Sequence, residues 1–253
     1  MRYLILSDLH SNLEALQAVV GATQGNYDQV VCCGDVVGYG PDPNAVVDWI
    51  RQNATEVVRG NHDKACSGVV DMEDLNPVAR QAAVWTSEHL SLDNLQYLRN
   101  LPQGPRDVKG EFDILHGSIR DEDEYVPTPW EAVESFDLLR HRVSFFGHTH
   151  LQGGFVRSRS RIAEISARGR SRSVVSRNKS RRILEIQAEE DYLLNPGSVG
   201  QPRDRDNRAA FVIFDSEGVV EFRRVSYDID ATMEKILQAG LPEFLAYRLV
   251  VGR

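Results

Sequence analysis

Short, mostly apolar runs recur along the first 150 positions of this chain, and a polar cluster closes each of them. Tyr3-Leu4-Ile5-Leu6, Val30-Val31-Cys32-Cys33, Val57-Val58, Phe112-Asp113-Ile114-Leu115 and Val143-Ser144-Phe145-Phe146 are strand-length rather than helix-length. They predict strands over 3–7, 29–34, 55–59, 112–116 and 143–146, the first of them buried. Between them the spacing turns helical. Leu13, Leu16, Val19 and Val20 share one face, and Ser11-Asn12-Leu13-Glu14 reads as a capping box with Ser11 at the cap. Pro41-Asp42-Pro43-Asn44 punctuates the chain before a helix carrying Val46, Val47, Trp49 and Ile50. A largely helical stretch covers about 74–100, with Val78, Ala82, Trp85 and Leu90 on one side, and a further helix covers about 129–140.

After Gly147 the pattern changes. Segments 183–187, 192–195, 210–215 and 219–226 are β-rich, Asp215-Ser216-Glu217-Gly218 marks a turn, and the chain is helical from about 230. Alternating strand and helix followed by consecutive strands predicts an α/β fold of two packed sheets with helices outside.

Length and composition narrow this picture. The 253 residues suit a single domain spanning 1–253, and 42% hydrophobic content can bury a substantial core. No apolar run approaches the roughly 18 residues of a membrane span, so no membrane partner is expected. Met1 leads directly into the first strand with no signal-peptide pattern, which predicts a cytoplasmic protein. Cys32, Cys33 and Cys66 lack a zinc-finger spacing; adjacent Cys32 and Cys33 should face opposite sides of a strand and pack there.

The clusters that end the strands carry the candidate chemistry. They are Asp8-Leu9-His10, Gly34-Asp35, Gly60-Asn61-His62-Asp63, His116-Gly117 and Gly147-His148-Thr149-His150, and they hold five of the seven histidines. Imidazole nitrogens and carboxylate oxygens are good ligands for divalent transition metals. Ligands from five elements converge only if these strand ends share one rim, so the pattern predicts a metal site at the strand C-terminal ends. Gly34, Gly60 and Gly147 precede ligands, where a missing side chain permits a tight turn. His89 and His141 sit in no such cluster and read as structural.

The ordered set Asp-x-His, Gly-Asp, Gly-Asn-His-Asp, His, Gly-His-x-His resembles the pattern of the calcineurin-like metallophosphoesterase family, and here it is complete. Ser7-Asp8-Leu9-His10-Ser11-Asn12 and the segment from Asn195 to Asp204 are similar to its compact prokaryotic, phosphodiesterase-type branch. The resemblance covers nearly the whole chain apart from 157–182. It implies a four-layer αββα sandwich, two mixed β-sheets flanked by helices. It also implies two divalent metal ions, drawn from Mn, Fe, Ni, Co or Zn. One would be held by Asp8, His10, Asp35 and His150, the other by Asp35, Asn61, His116 and His148, with Asp35 bridging. A carboxylate can span ions about 3.5–4 Å apart.

The same resemblance makes His62 catalytic rather than a ligand, as general acid at the leaving-group oxygen or as a partner of the phosphate. Asp63 would then accept a hydrogen bond from His62, or serve as a loop cap. Asn12, Arg59 and Tyr39 are candidate substrate-binding residues, each with a structural alternative. The loop 195–204 reads as a buttress for the His148–His150 loop, with Arg203 and Arg205 as further candidates for substrate contact. The implied activity is metal-dependent hydrolysis of a small phosphate ester, first of all a phosphodiester, by attack of a metal-bridging hydroxide. A phosphomonoesterase or protein phosphatase, a dinucleoside polyphosphate hydrolase and a non-catalytic binding scaffold are the alternatives.

One segment departs from this frame. Residues 157–182 hold nine Arg and one Lys against Glu164, giving +9, so the remainder carries −17 of the net −8. Alternation in Arg157-Ser158-Arg159-Ser160-Arg161 would place three arginines on one face of a strand. A solvated mobile hairpin or disordered insert, a polyanion-binding arm and an out-of-frame stretch of sequence are all open readings.

Overall fold

The computed structural model describes residues 1–73, 75–159, 161–166 and 180–253. Strand and helix alternate first: β1 (Arg2–Leu6), α1 (Leu13–Thr23), β2 (Gln29–Cys32), α2 (Pro43–Asn53), β3 (Ala54–Val57) and a short α3 (Asn61–Cys66). Next come α4 (Pro77–His89), α5 (Leu92–Arg99), β4 (Arg106–Val108), β5 (Phe112–Ile114), α6 (Pro129–Leu138) and β6 (Val143–Phe145). A run of strands follows: β7 (Gly153–Ser158), β8 (Arg161–Ser166), β9 (Arg181–Glu185), β10 (Glu190–Asn195), β11 (Ala209–Asp215) and β12 (Val219–Val225). Helices α7 (Ile229–Gln238) and α8 (Glu243–Val251) close the described chain.

One sheet runs β3-β2-β1-β11-β12-β9, the other β4-β5-β6-β10-β7-β8. Both are mixed: β1 is parallel to β2 and antiparallel to β11, and β10 is parallel to β6 and antiparallel to β7. The two-residue period of a strand explains the layering. Tyr3 and Ile5 point between the sheets, against Phe112, Phe145 and Phe214. Leu4 and Leu6 point the other way, packing with Leu16 and Val19 of α1 and with Val47 and Ile50 of α2. On the outer face of the second sheet, Phe155 and Leu193 meet Ala132 and Phe136 of α6. The result is the expected αββα sandwich. Cys32 joins the helix-side core and Cys33 the inter-sheet core, as their adjacency requires. Among the described residues no helix is long and apolar enough to cross a membrane.

Several local expectations are corrected. Ser11 does not cap α1. It sits at φ +54°, and Asn12 is the cap, its Oδ1 accepting from the Ala15 amide at 3.0 Å. The helical stretch near 74–100 is two helices, separated at Leu90-Ser91, with Ser91 capping the second. The basic segment is strand at both ends: Arg157 lies in β7 and Arg181 and Arg182 in β9, while 160 and 167–179 lie outside the described residues. Arg157, Arg159 and Arg161 do not share a strand face. The chain turns between Ser158 and Arg161, which are cross-strand partners, and Arg159 is at φ +55°. Arg157 bonds Asp137 at 2.6 Å and Asp191 at 3.0 Å, a structural tie to α6 and β10.

Candidate metal centre

The site is assembled by loops that continue the strand pairing past the sheet. The amides of Asp8, His10 and Ser11 donate to the carbonyls of Gly34, Asp35 and Val36, each at 3.0 Å. The Gly147 amide donates to His116 O at 2.8 Å, and the Gly200 amide to Asp8 O at 2.9 Å. Asn195 donates to Gly147 O at 2.8 Å and to Thr149 Oγ1 at 3.0 Å, so the 195–204 segment does buttress the His148–His150 loop. These interlocked turns hold Asp8, His10, Asp35, His148 and His150 at φ between +47° and +66°, the left-handed region.

The predicted ligands fall into two buried groups that share Asp35. Ligand atoms of Asp8, His10, Asp35 and His150 lie within 4.8 Å of one another, and so do those of Asp35, His116 and His148. Asn61 completes the second group, its Oδ1 lying 3.3 Å from His116 Nε2. Asp35 Oδ2 lies 3.6 Å from His10 Nε2 and 3.4 Å from His116 Nε2, between the two groups. Asp35 Oδ2 and Asp8 Oδ2 are buried without a hydrogen-bond donor. Buried carboxylate oxygens are rarely left so, and a bound cation would supply what they lack.

The histidines are aimed from behind. Nδ1 of His10 bonds Val37 O at 3.1 Å, that of His116 bonds Cys33 O at 2.7 Å, and that of His150 bonds Gln201 O at 2.6 Å. A carbonyl can only accept, so each Nδ1 carries the proton and each Nε2 turns a lone pair into the site. His10 Nε2 and His150 Nε2 consequently face each other at 3.1 Å, an arrangement a cation between them resolves. His148 is reversed: its Nε2 donates to Asp123 O at 3.0 Å, leaving Nδ1 as the ligating nitrogen.

Electrostatics agree with this assignment. Burial holds His10 and His150 well below the ordinary imidazole range and brings His148 down to about 3, so these rings are neutral and able to ligate a cation. Burial opposes ionisation of Asp35, but the imidazoles of His116 and His62 outweigh it and keep Asp35 well below the usual carboxylate range. Burial raises Asp8 to about 7. For His116, burial is outweighed by Asp35 and Asp8, which push it up to about 10. A cation in the same field would displace that proton, as metals do at anionic sites.

The remaining candidates divide. His62 is buried against Tyr39, ring centroids 4.3 Å apart, and its amide donates to Asp35 Oδ1 at 2.9 Å. Asp63 does not orient His62. Its oxygens accept from the Val37 and Gly60 amides at 3.1 and 2.9 Å, making it the loop cap, and His62 Nδ1 has no partner. Asn12 is engaged structurally, with Nδ2 donating to Gly200 O at 2.9 Å besides capping α1. Arg59 Nε bonds both oxygens of Glu122, at 2.9 and 3.0 Å. Tyr39, Asn61, His62 and His148 line a cleft of about 550 Å³, and Val70 and Leu75 line it too.

The loop 118–126 was not anticipated. Tyr125 stacks on His148 with centroids 3.8 Å apart, and Lys64 bonds Glu122 and Asp123 at 3.1 and 2.6 Å. The signal available was the acidic run Asp121 to Glu124 five residues after His116.

Gly38 sets the position of His62. It sits at φ +93°, and a Cβ there would lie 2.6 Å from His62 Nδ1. Gly38→Ala is expected to lower stability by about 1–3 kcal/mol and to reduce turnover by displacing His62. Thermal unfolding and kcat measured together check this; unchanged values for both would refute the close approach.

Comparison with known proteins places this geometry in a lineage. A family description, calcineurin-like phosphoesterase superfamily domain, matches residues 1–218. An uncharacterised protein of Methanocaldococcus jannaschii is 35% identical over 98% of this chain and 97% of its own. The crystal structure of a metallophosphoesterase from Sphaerobacter thermophilus is 37% identical, with a TM-score of 0.82 over 100% of this chain and 99% of that one. A hypothetical protein of Pyrococcus horikoshii shares the fold at 19% identity, with a TM-score of 0.74 over 100% and 98% of the two chains.

Proposed function

Because the chain belongs to the calcineurin-like phosphoesterase superfamily, we propose that it hydrolyses small phosphodiesters with two divalent ions. The observation that carries this reading is Asp35 Oδ2, buried without a hydrogen bond between His10 Nε2 and His116 Nε2. Asp8, His10, Asp35 and His150 would hold one ion, and Asp35, Asn61, His116 and His148 the other; Mn, Fe, Co, Ni and Zn all suit this N/O donor set. When bound, such ions polarise phosphoryl oxygens and lower the pKa of a water nucleophile.

The chain's own groups do the rest. His62 sits beside Asn61 in the cleft, where it would serve the leaving-group oxygen, with Tyr39 packed against it. Lys64 and Arg59 are already neutralised by Glu122 and Asp123. That balance suits the single negative charge of a diester better than a monoester dianion. The apolar wall of Val70 and Leu75 offers contact for an ester substituent.

The test is a panel of bis-p-nitrophenyl phosphate, p-nitrophenyl phosphate and diadenosine tetraphosphate. Chelator-stripped protein is compared with protein reloaded with Mn²⁺, Ni²⁺, Zn²⁺ or Mg²⁺. Diester turnover is expected only after reloading. Equal turnover by stripped and loaded protein would sink the metal mechanism, and a higher kcat/KM for the monoester would overturn the diester preference.

A further inference from the structure

We propose that the cleft has a second anion subsite, formed by Arg203 and Arg248, which takes a second phosphate group carried by the substrate. This rests on the phosphoesterase reading above and refines its substrate class. A side cavity of about 330 Å³ is lined by Arg203, Arg248, Tyr39, Tyr125, Asn76 and Phe244. It shares Tyr39, Tyr125 and Asn76 with the cleft over Asn61, His62 and His148, so one ligand can reach both.

Two guanidiniums on one cavity normally call for carboxylates, yet among the described residues neither pairs with an Asp or Glu side chain. Arg203 Nη2 bonds only neutral oxygens, Gln201 Oε1 at 3.0 Å and Tyr39 Oη at 3.4 Å, and its Nε is buried without a partner. Arg248 Nε bonds the Arg253 main-chain oxygen at 2.5 Å. Burial, and after it the neighbouring Arg203 charge, brings Arg248 down to about 10, so an anion placed here relieves both penalties. Other cations of the cleft differ, since Arg59 and Lys64 are saturated by Glu122 and Asp123.

Arginine forks are suited to phosphate. Phe244 is 58% and Tyr125 49% exposed, so each offers aromatic surface for the body between two phosphates. Arg248 and Phe244 belong to α8, outside the residues 1–218 matched by the family description. The ligand class is therefore a phosphoester with a second phosphate on a nucleotide-like body.

Calorimetry on the metal-loaded protein, comparing adenosine 5′-monophosphate with adenosine 3′,5′-bisphosphate, tests this. The second phosphate is expected to tighten binding about 10–100-fold, the gain of one or two charge-assisted hydrogen bonds. Arg248→Gln should remove most of that gain and Arg248→Lys should keep part of it. In the native protein the gain should shrink as salt is raised, a reading independent of how either variant folds. Equal affinities of the native protein for the two nucleotides overturn the subsite, as does a gain unaffected by both Arg248→Gln and salt. Turnover of bis-p-nitrophenyl phosphate is followed in parallel. Binding gain without turnover keeps the subsite and removes the hydrolase reading; turnover without gain does the reverse.

Discussion

Asp35→Asn is expected to lower kcat/KM by about 10³-fold or more and to strip metal from both positions. The loss corresponds to several kcal/mol of transition-state charge stabilisation. The amide keeps the shape of the carboxylate but removes its negative charge and one of its two acceptor oxygens. Asp35 Oδ1 already accepts the His62 amide, and Oδ2 is the atom between His10 Nε2 and His116 Nε2. Whichever way the amide turns, one of these duties goes unmet. His10→Ala removes a donor from one group only and should leave the other ion in place. Elemental analysis of both variants decides the matter. An Asn variant that retains two ions and native turnover would remove Asp35 from the mechanism; loss of one ion alone would remove its bridging role.

His62→Ala should behave differently, keeping both ions while losing about 10²–10⁴-fold in kcat. His62 bonds Asp35 only through its main-chain amide, and its imidazole lies in the cleft rather than in either ligand group. Burial pushes it down to about 4 despite Asp35, so it is neutral at pH 7, and the approach of an anionic phosphate favours its protonated form. A proton delivered to the departing oxygen matters most when that oxygen is basic. The deficit should therefore be large for alkyl leaving groups and small for p-nitrophenolate. A deficit equal across leaving groups would assign His62 to holding the phosphate instead.

The metal groups were readable from sequence because each ligand is tied to a strand end. Once Tyr3 to Leu6, Val30 to Cys33 and Val143 to Phe146 are placed in sheets, the residues after them have little freedom. What escaped was decided by pairings distant in sequence or by alternatives within a turn. Asp63 could reach His62 or curl back to its own helix start; the Gly60 and Val37 amides, otherwise unbonded, win. Ser11 and Asn12 are equally good caps by type, and the pairing of the Ser11 amide with Val36 O settles the choice for Asn12. Arg59 meets Glu122, and Arg248 arrives beside Arg203, through the packing of separate elements that no local spacing encodes. Strict alternation of Arg157, Arg159 and Arg161 implied one strand face, but a hairpin turn falls among them.

The left-handed backbone of Asp8, His10, Asp35, His148 and His150 restricts which residues evolution can try there. Asp, Asn and His tolerate that conformation better than other side chains. Glutamate would also bind a divalent ion, but its longer side chain on the same backbone would overshoot a site built for shorter ligands. Two filters, coordination chemistry and chain stereochemistry, thus act on the same five positions. A ligand exchange that looks conservative by donor type can fail on conformation alone, so changes of metal preference are more accessible through the residues that hydrogen-bond these ligands than through the ligands themselves.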